Sequence, residues 1–288
     1  MRPAYRSLWL ICCIFICLAV VPLPVASFAA KIKNPEPETT VSEAWQPGTL
    51  EIRFFNVGKG DATLLRLPDG RFAMIDTGYA ETAPGLIKKL KRLGVGKIDL
   101  LVITHHHKDH VGGYPYLLEA FSITKVIQAY DPRQKDKNLV APGTTLLHDR
   151  NLTLRAVGPV RNHADENDAS LVTRLEFGRV AVLFAADAVA EAMADMLKLK
   201  DKKALRADLL KVPHHGRYRG FSPRDFFTAV KPEFAIITSD EKAGDPPEGS
   251  VIRILKESGA RVLLTDELGD IQFLSDGETI DYIPGGKK

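Results

Sequence analysis

The sequence predicts an α+β protein in which two mixed β-sheets pack face to face and carry helices on their outer sides. Short apolar strands alternate with amphipathic helices from Leu50 to the end of the 288-residue chain, in two halves. No linker separates the halves, so we expect them to share one core, for which an apolar content of 45% is sufficient. We therefore predict a single domain over residues 50–283.

The first half begins with three short segments rich in β-branched and aromatic residues, and Pro68-Asp69-Gly70 supplies a turn between the last two. A helix follows, with Pro84 near its start and Gly94 just past its end. A continuous apolar run after it is typical of a strand buried on both faces. The predicted elements are strands at 50–56, 62–67, 72–75 and 98–104, and a helix at 84–93.

The second half opens with a hairpin whose turn contains Gly178-Arg179. Amphipathic segments then predict three helices, one beginning at Ser222-Pro223 and another ending at Gly259. The predicted elements are strands at 171–177, 180–184, 209–212, 234–238, 261–265 and 271–274, and helices at 189–199, 223–230 and 251–258.

The N-terminal segment has the pattern of a secretory signal. Arg2 and Arg6 precede an almost unbroken apolar run over residues 8–21, and small residues at 27–29 offer a cleavage site. We predict a signal peptide over residues 1–29 and an exported protein. The alternative is a retained membrane anchor, although the run is short for a bilayer span, which needs about 20 residues.

A polar, proline-containing stretch follows and is predicted to be a linker over residues 30–49. The cysteines, Cys12, Cys13 and Cys17, all precede it, so disulfides and thiolate metal ligands are excluded from the predicted mature chain. The net charge is +3, and without the first 29 residues 37 basic residues stand against 36 acidic ones. This balance excludes the strongly basic surface of an avid nucleic-acid binder.

Histidines crowd together directly after the predicted strand at 98–104. His105, His107, Asp109 and His110 follow within a few positions, and glycines at 112 and 113 allow a tight turn into the next helix. Unliganded imidazoles are costly to bury, and histidine rarely concentrates in a solvated loop. The cluster therefore predicts a metal site built from imidazole and carboxylate.

The pattern His105-x-His107-x-Asp109-His110 resembles the metal-binding signature of the metallo-β-lactamase superfamily. The resemblance implies a four-layer αβ/βα sandwich and two divalent metal ions. It places His105 and His107 on the first ion and Asp109 and His110 on the second. His106 has no ligand role by this match.

Further motifs fit the same superfamily. Asp76, in Asp76-Thr77-Gly78, matches the strand-end aspartate that orients the metal loop, although a turn aspartate is the alternative. Asp187 matches the metal-bridging aspartate, where the alternative is a helix N-cap. His214 matches the last metal ligand. The resemblance makes Asp109 and Asp187 catalytic, together with a metal-activated water molecule.

Segments 55–62, 167–172 and 212–216 resemble the ComEC-type competence proteins, and the similarity extends over about residues 50 to 275. No multi-span membrane region accompanies the domain, so the resemblance implies a free-standing relative. Many members of the superfamily bind the first ion with a third histidine. Here Asp168 is a better candidate for that ligand than His163, which is expected to be exposed.

Two other positions depart from the subfamily pattern. Lys59 replaces a glutamine in the opening motif, and Asp245 stands where relatives have histidine. This difference at Asp245 weakens the inference that the protein acts on the same substrate as its relatives.

The leading hypothesis is a binuclear phosphodiesterase or nuclease that uses Zn²⁺, with Mn²⁺ or Fe as alternatives. Its substrate would be a small-molecule or nucleic-acid phosphodiester, with weak DNA binding and no stable protein partner. Acyl hydrolysis of a lactam, lactone or thioester is the second hypothesis, and a non-catalytic DNA-uptake binding protein is the third. The candidate substrate contacts are Lys108, His215, Arg217 and Arg219.

Overall fold

The structure is a computed structural model that describes residues 44–133, 139–218, 220–244 and 246–285. The predicted signal peptide and most of the predicted linker lie outside these ranges, as do Arg219 and Asp245. Within the described part of the chain, no helix combines the length and the apolar character needed to cross a bilayer.

Sixteen strands are present in the described residues. They are β1 (Leu50–Phe54), β2 (Thr63–Arg66), β3 (Phe72–Ile75), β4 (Lys97–Ile98), β5 (Leu100–Ile103), β6 (Ser122–Ile123), β7 (Val126–Gln128), β8 (Thr145–Asp149), β9 (Leu152–Gly158), β10 (Val172–Phe177), β11 (Val180–Phe184), β12 (Leu209–Lys211), β13 (Phe234–Ile237), β14 (Arg261–Leu264), β15 (Ile271–Ser275) and β16 (Ile280–Ile283).

Seven α-helices are present in the same residues, and three short 3₁₀ helices accompany them. The α-helices are α1 (Ala83–Arg92), α2 (Lys108–Val111), α3 (Tyr114–Ala120), α4 (Ala190–Met196), α5 (Arg224–Val230), α6 (Gly249–Glu257) and α7 (Thr265–Leu268). The 3₁₀ helices are Lys202–Ala204, Pro213–Gly216 and Glu241–Ala243.

Two seven-stranded sheets dominate the fold. The first has the strand order β16-β15-β1-β2-β3-β5-β7, and the second has the order β14-β13-β12-β11-β10-β9-β8. Both are mixed, because β3, β5 and β7 are parallel in the first sheet and β11 to β14 are parallel in the second. Strands β4 and β6 form a separate parallel pair.

The apolar side chains divide into three clusters that define the layers. The central cluster joins the two sheets, and in it Phe54 of β1 packs 6.2 Å from Phe184 of β11 between ring centroids. A second cluster packs α4, α5 and α6 on the outer face of the second sheet. A third packs α1 and α3 on the first sheet through residues such as Leu90 and Leu117. The predicted α+β class and four-layer αβ/βα arrangement are confirmed.

Two glycines allow the metal loop predicted at residues 105–110 to lie close against neighbouring backbone. A Cβ at Gly60 would lie 2.6 Å from the carbonyl oxygen of Asp109, and a Cβ at Gly113 would lie 2.3 Å from that of Thr77. Such distances are far below van der Waals contact, so only glycine fits at either position without a backbone shift. Gly113 is the N-cap residue of α3, in keeping with the predicted tight turn into a helix.

Candidate metal centre

The predicted site residues lie at strand ends that meet at one edge of the sandwich. Asp76 follows β3, His105 lies two residues after the end of β5, Asp187 follows β11, and His215 follows β12. β3 and β5 are parallel, as are β11 and β12, so the carboxyl ends of each pair face the same way. Positive φ angles at Asp76 and His215 redirect the backbone there.

The first donor group contains His105, His107 and Asp187, whose ligand atoms lie within 4.8 Å of one another. The two imidazoles face each other, with His105 Nε2 3.1 Å from His107 Nδ1. His105 Nε2 is also 3.8 Å from Asp187 Oδ2. His106, between them, turns away and places its Nε2 3.1 Å from the carbonyl of Ala129.

The second donor group contains Asp109, His110, Asp187 and His215. His110 Nε2 lies 3.2 Å from Asp187 Oδ1. His215 Nε2 lies 3.4 Å from Asp187 Oδ2 and 3.4 Å from Asp109 Oδ2. Asp187 belongs to both groups, which is the geometry that a bridging carboxylate requires.

The donor atoms fit divalent cations. His110 Nε2, Asp187 Oδ1 and His215 Nε2 are buried and have no hydrogen-bond partner among the described residues. Buried polar atoms are rarely left unsatisfied, and these three converge on one position. Imidazole and carboxylate donors without sulfur are typical ligands of Zn²⁺, Mn²⁺ and Fe.

The other ring nitrogen of each imidazole faces a polar group. Asp76 Oδ2 lies 2.7 Å from His110 Nδ1, and the carbonyl of Thr238 lies 2.9 Å from His215 Nδ1. Thr104 Oγ1 lies 3.3 Å from His105 Nδ1. An acceptor at Nδ1 favours the tautomer whose Nε2 lone pair is available to a metal. Asp76 thus lies directly behind the His110 ring, on the side away from Asp187.

His107 has the reverse arrangement. Its Nδ1 faces His105, and its Nε2 lies 3.6 Å from Glu166 Oε2, an ion-pair distance rather than a hydrogen bond.

The carboxylates of this cluster favour positive charge at His110. Burial alone would lower the pKa of His110, but the carboxylates of Asp187 and Asp76 outweigh burial and raise this pKa well above its ordinary value. Burial alone would raise the pKa of Asp187, but His215 and His110 outweigh it and lower this pKa well below its ordinary value. The pKa of His105 falls well below its ordinary value, because burial and the charge of His110 both disfavour its protonation. Divalent cations can supply the positive charge that the carboxylates require.

The geometry favours His215 as the last ligand, whereas the sequence predicts His214. The structure places His215 in the second donor group, whereas His214 belongs to neither group. His214 Nδ1 lies 2.6 Å from the carbonyl of Arg217, within its own turn. Both residues have a left-handed backbone, with φ of 49° and 52°, so their side chains leave a tight turn in different directions. His215, predicted only as a substrate contact, is the better ligand.

The candidate for the third ligand of the first group is also corrected. Asp168 Oδ1 accepts hydrogen bonds from the backbone N–H groups of Val189 and Ala192, at 3.3 and 2.9 Å, so it caps the first turn of α4. Asp168 therefore lies outside both donor groups. His163, which we expected to be exposed, is 3% exposed, and its Nδ1 lies 3.4 Å from Glu191.

Several residues that contact the donor groups were not predicted from the sequence. Thr104 directly precedes the histidine cluster and is the one that a local signal could have revealed. Thr238 and Glu166 reach the site from distant segments. Burial and the charges of Asp109 and Asp187 contribute to raising the pKa of Tyr79, which places this residue among the neighbours of the site.

Two of the basic residues predicted to contact substrate, Lys108 and Arg217, lie close in the chain to members of the donor groups. Lys108 is exposed and precedes Asp109, and Arg217 is half-buried two residues after His215. The charge of Lys59 contributes to lowering the pKa of His214, which burial lowers most strongly. Lys59 also directly precedes Gly60, which packs against the carbonyl of Asp109, so Lys59 lies near this edge of the sandwich.

The fold and the paired donor groups define the class of the protein. The family model of the metallo-beta-lactamase superfamily matches residues 55–222, and the chain belongs to this superfamily of metal-dependent hydrolases. Among solved structures, the metallo-beta-lactamase fold protein YhfI from Bacillus subtilis superimposes with a TM-score of 0.52. It covers 78% of this chain and 100% of its own, at 12% identity, which supports the fold.

Competence proteins are among the relatives in sequence. The chain is 24% identical to ComE operon protein 3 of Bacillus subtilis (strain 168) over 256 residues, covering 77% of this chain and 33% of the relative. It is 27% identical to the competence protein ComA of Neisseria gonorrhoeae over 238 residues, covering 80% of this chain and 33% of the relative. The chain thus spans about a third of the length of these relatives, and the resemblance to the ComEC-type subfamily agrees with them.

Proposed function

We propose that the protein is an exported phosphodiesterase with two divalent metal ions, and that nucleic-acid backbone is its substrate class. The observation that carries the proposal is the sharing of Asp187, which is buried, between two donor groups. Two neighbouring cations would supply Lewis acidity and lower the pKa of a water molecule that attacks phosphorus. Zn²⁺ fits the donors best.

The protein's own side chains have distinct tasks in this reaction. His105, His107, Asp109, His110 and His215 would hold the cations, and Asp187 would bridge them. The Asp109 side chain is 13% exposed, against 2% for Asp187, so Asp109 is the more accessible carboxylate of the second donor group. Hydrolysis breaks one P–O ester bond, and the leaving alcohol takes up a proton.

Basic residues favour an anionic substrate over a neutral one. Lys59, Lys108 and Arg217 lie beside the donor groups and can contact phosphate oxygens. The competence proteins among the relatives support nucleic acid within the phosphodiester class. The near balance of basic and acidic residues in the mature chain predicts weak, salt-sensitive binding to the backbone rather than to bases.

The Arg217→Ala variant is expected to raise KM for single-stranded DNA by about tenfold, the effect of losing one charge-assisted contact. KM for a neutral ester should change much less, and the difference should shrink as salt concentration rises. Steady-state kinetics on DNA, bis(4-nitrophenyl) phosphate and nitrocefin at several salt concentrations provide the measurement.

Arg179→Ala is the matched control for this experiment. Arg179 lies in the turn between β10 and β11, its side chain is 80% exposed, and its contact is an ion pair with Glu278. Its loss should leave both KM values unchanged. Nitrocefin hydrolysis that clearly exceeds phosphodiester cleavage, with Arg217→Ala harmless to both, would instead favour the acyl-hydrolase hypothesis.

Export is supported by the charged, apolar and small-residue segments of residues 1–29. We expect the mature chain to begin near Ala30, which N-terminal sequencing of protein from the periplasm or the medium can establish. Recovery of chains that retain Met1 in the membrane fraction would contradict cleavage and favour an anchor.

A further inference from the structure

A buried ion pair lies beside the second donor group and joins the two halves of the chain. Lys211 is the last residue of β12, and Asp61 lies between β1 and β2. Their side chains are 2% and 6% exposed, and Lys211 Nζ is in direct contact with Asp61 Oδ2. A buried lysine needs a carboxylate partner, because an isolated charge is costly to remove from water.

Lys211 faces a second carboxylate, that of Asp187. Its Nζ lies 3.7 Å from Asp187 Oδ1 and donates a 3.1 Å hydrogen bond to the carbonyl of Ala186. Asp187 Oδ1 is the same oxygen that lies 3.2 Å from His110 Nε2. The lysine and a metal ion would therefore compete for one oxygen atom.

Asp61 also contacts the surroundings of two members of the second donor group, His215 and Asp109. Thr238 Oγ1 donates a 2.6 Å hydrogen bond to Asp61 Oδ1, and the carbonyl of Thr238 is the acceptor behind His215. The backbone N–H of Asp61 donates to the carbonyl of Asp109 at 3.0 Å. Both carboxylate oxygens of Asp61 thus face protein groups.

We propose that Asp61 is a positioning residue that holds Lys211 away from Asp187. By pairing with the lysine, Asp61 leaves Asp187 Oδ1 to a metal ion in the second donor group. The inference rests on the two-metal centre of the proposed function and concerns how that centre assembles. It also gives a role to Asp61 in the motif at residues 55–62 and to Lys211 just before the motif at residues 212–216.

The test is a comparison of metal binding by Asp61→Asn and by the double variant Asp61→Asn/Lys211→Met. In the single variant Lys211 loses its partner and turns to Asp187, so affinity for the second metal ion should fall about 10- to 100-fold. In the double variant the competing charge is also gone, and affinity should return to within about threefold of wild type. Calorimetric titration of the metal-stripped full chain with Zn²⁺ measures both, and the visible spectrum of bound Co²⁺ reports the geometry of each position.

Lys211→Met alone gives an independent check that does not require the Asp61→Asn protein to fold. It should keep both metal ions, while the metal-free protein unfolds at a lower temperature because Asp61 is buried without its partner. Loss of the second ion in Lys211→Met, or a double variant as weak as Asp61→Asn, would overturn the inference. Wild-type affinity for the second metal ion in Asp61→Asn would overturn this inference and leave the proposed function standing. If the wild-type protein itself bound no metal, the proposed function would be overturned as well.

Discussion

Asp187→Ala is expected to remove metal from both positions of the centre. Asp187 belongs to both donor groups, with Oδ1 3.2 Å from His110 Nε2 and Oδ2 3.8 Å from His105 Nε2. Loss of its carboxylate should lower the affinity for both ions by more than about 100-fold, the upper range for residues that only support ligands. Elemental analysis should show metal falling from about two ions per chain to well under one, and hydrolysis should fall with it.

Asp168→Ala is the matched control, because it also removes a buried aspartate near the same edge of the second sheet. Asp168 contacts the first turn of α4, so its loss should cost about 1 kcal/mol of stability and leave the metal content unchanged. Full metal content in Asp187→Ala would show that the bridging carboxylate is misplaced. Loss of one ion in Asp168→Ala would restore the original assignment of Asp168 as a ligand.

His215→Ala and His214→Ala are expected to differ sharply although the residues are neighbours. His215 Nε2 lies among Asp109 and Asp187, so its loss should empty the second position, leaving about one ion per chain. His214 uses its Nδ1 within its own turn and belongs to neither donor group. The His214→Ala protein should therefore keep both ions.

Metal content and activity of the two variants provide the measurement. Unfolding temperatures with excess metal should separate them too, because a bound ion stabilises the folded state. The reverse result, with His214→Ala metal-depleted and His215→Ala intact, would return the ligand role to His214.

Much of the fold could be predicted because its signals are local. The strands at residues 72–75 and 180–184 have the predicted bounds, since apolar runs and a Gly-containing turn specify them. β9 was missed despite a usable signal, the alternation of buried Leu152, Leu154 and Ala156 with more exposed neighbours. Strands of two or three residues such as β4 and β7 carry too few positions for any period to show.

The site divides in the same way. The high density of histidines within one short loop predicts a metal site. Asp76 and Asp187 follow strands whose ends can be predicted from the sequence. The choice between His214 and His215 depends on a left-handed turn, and adjacent positions look alike in sequence. The contacts of Asp61 with Lys211 and Thr238 join segments from opposite halves of the chain, which no local pattern reveals.

The central claim is that two metal ions sharing Asp187 support phosphodiester hydrolysis. Its most direct test is a titration of the metal-stripped protein with Zn²⁺ in which bound metal and hydrolysis of bis(4-nitrophenyl) phosphate are measured in the same samples. We expect about two equivalents to bind and the rate to rise with the second equivalent, because both ions contribute to the reaction. Saturation of binding and activity at one equivalent, or two bound ions with no phosphodiester hydrolysis, would contradict the claim.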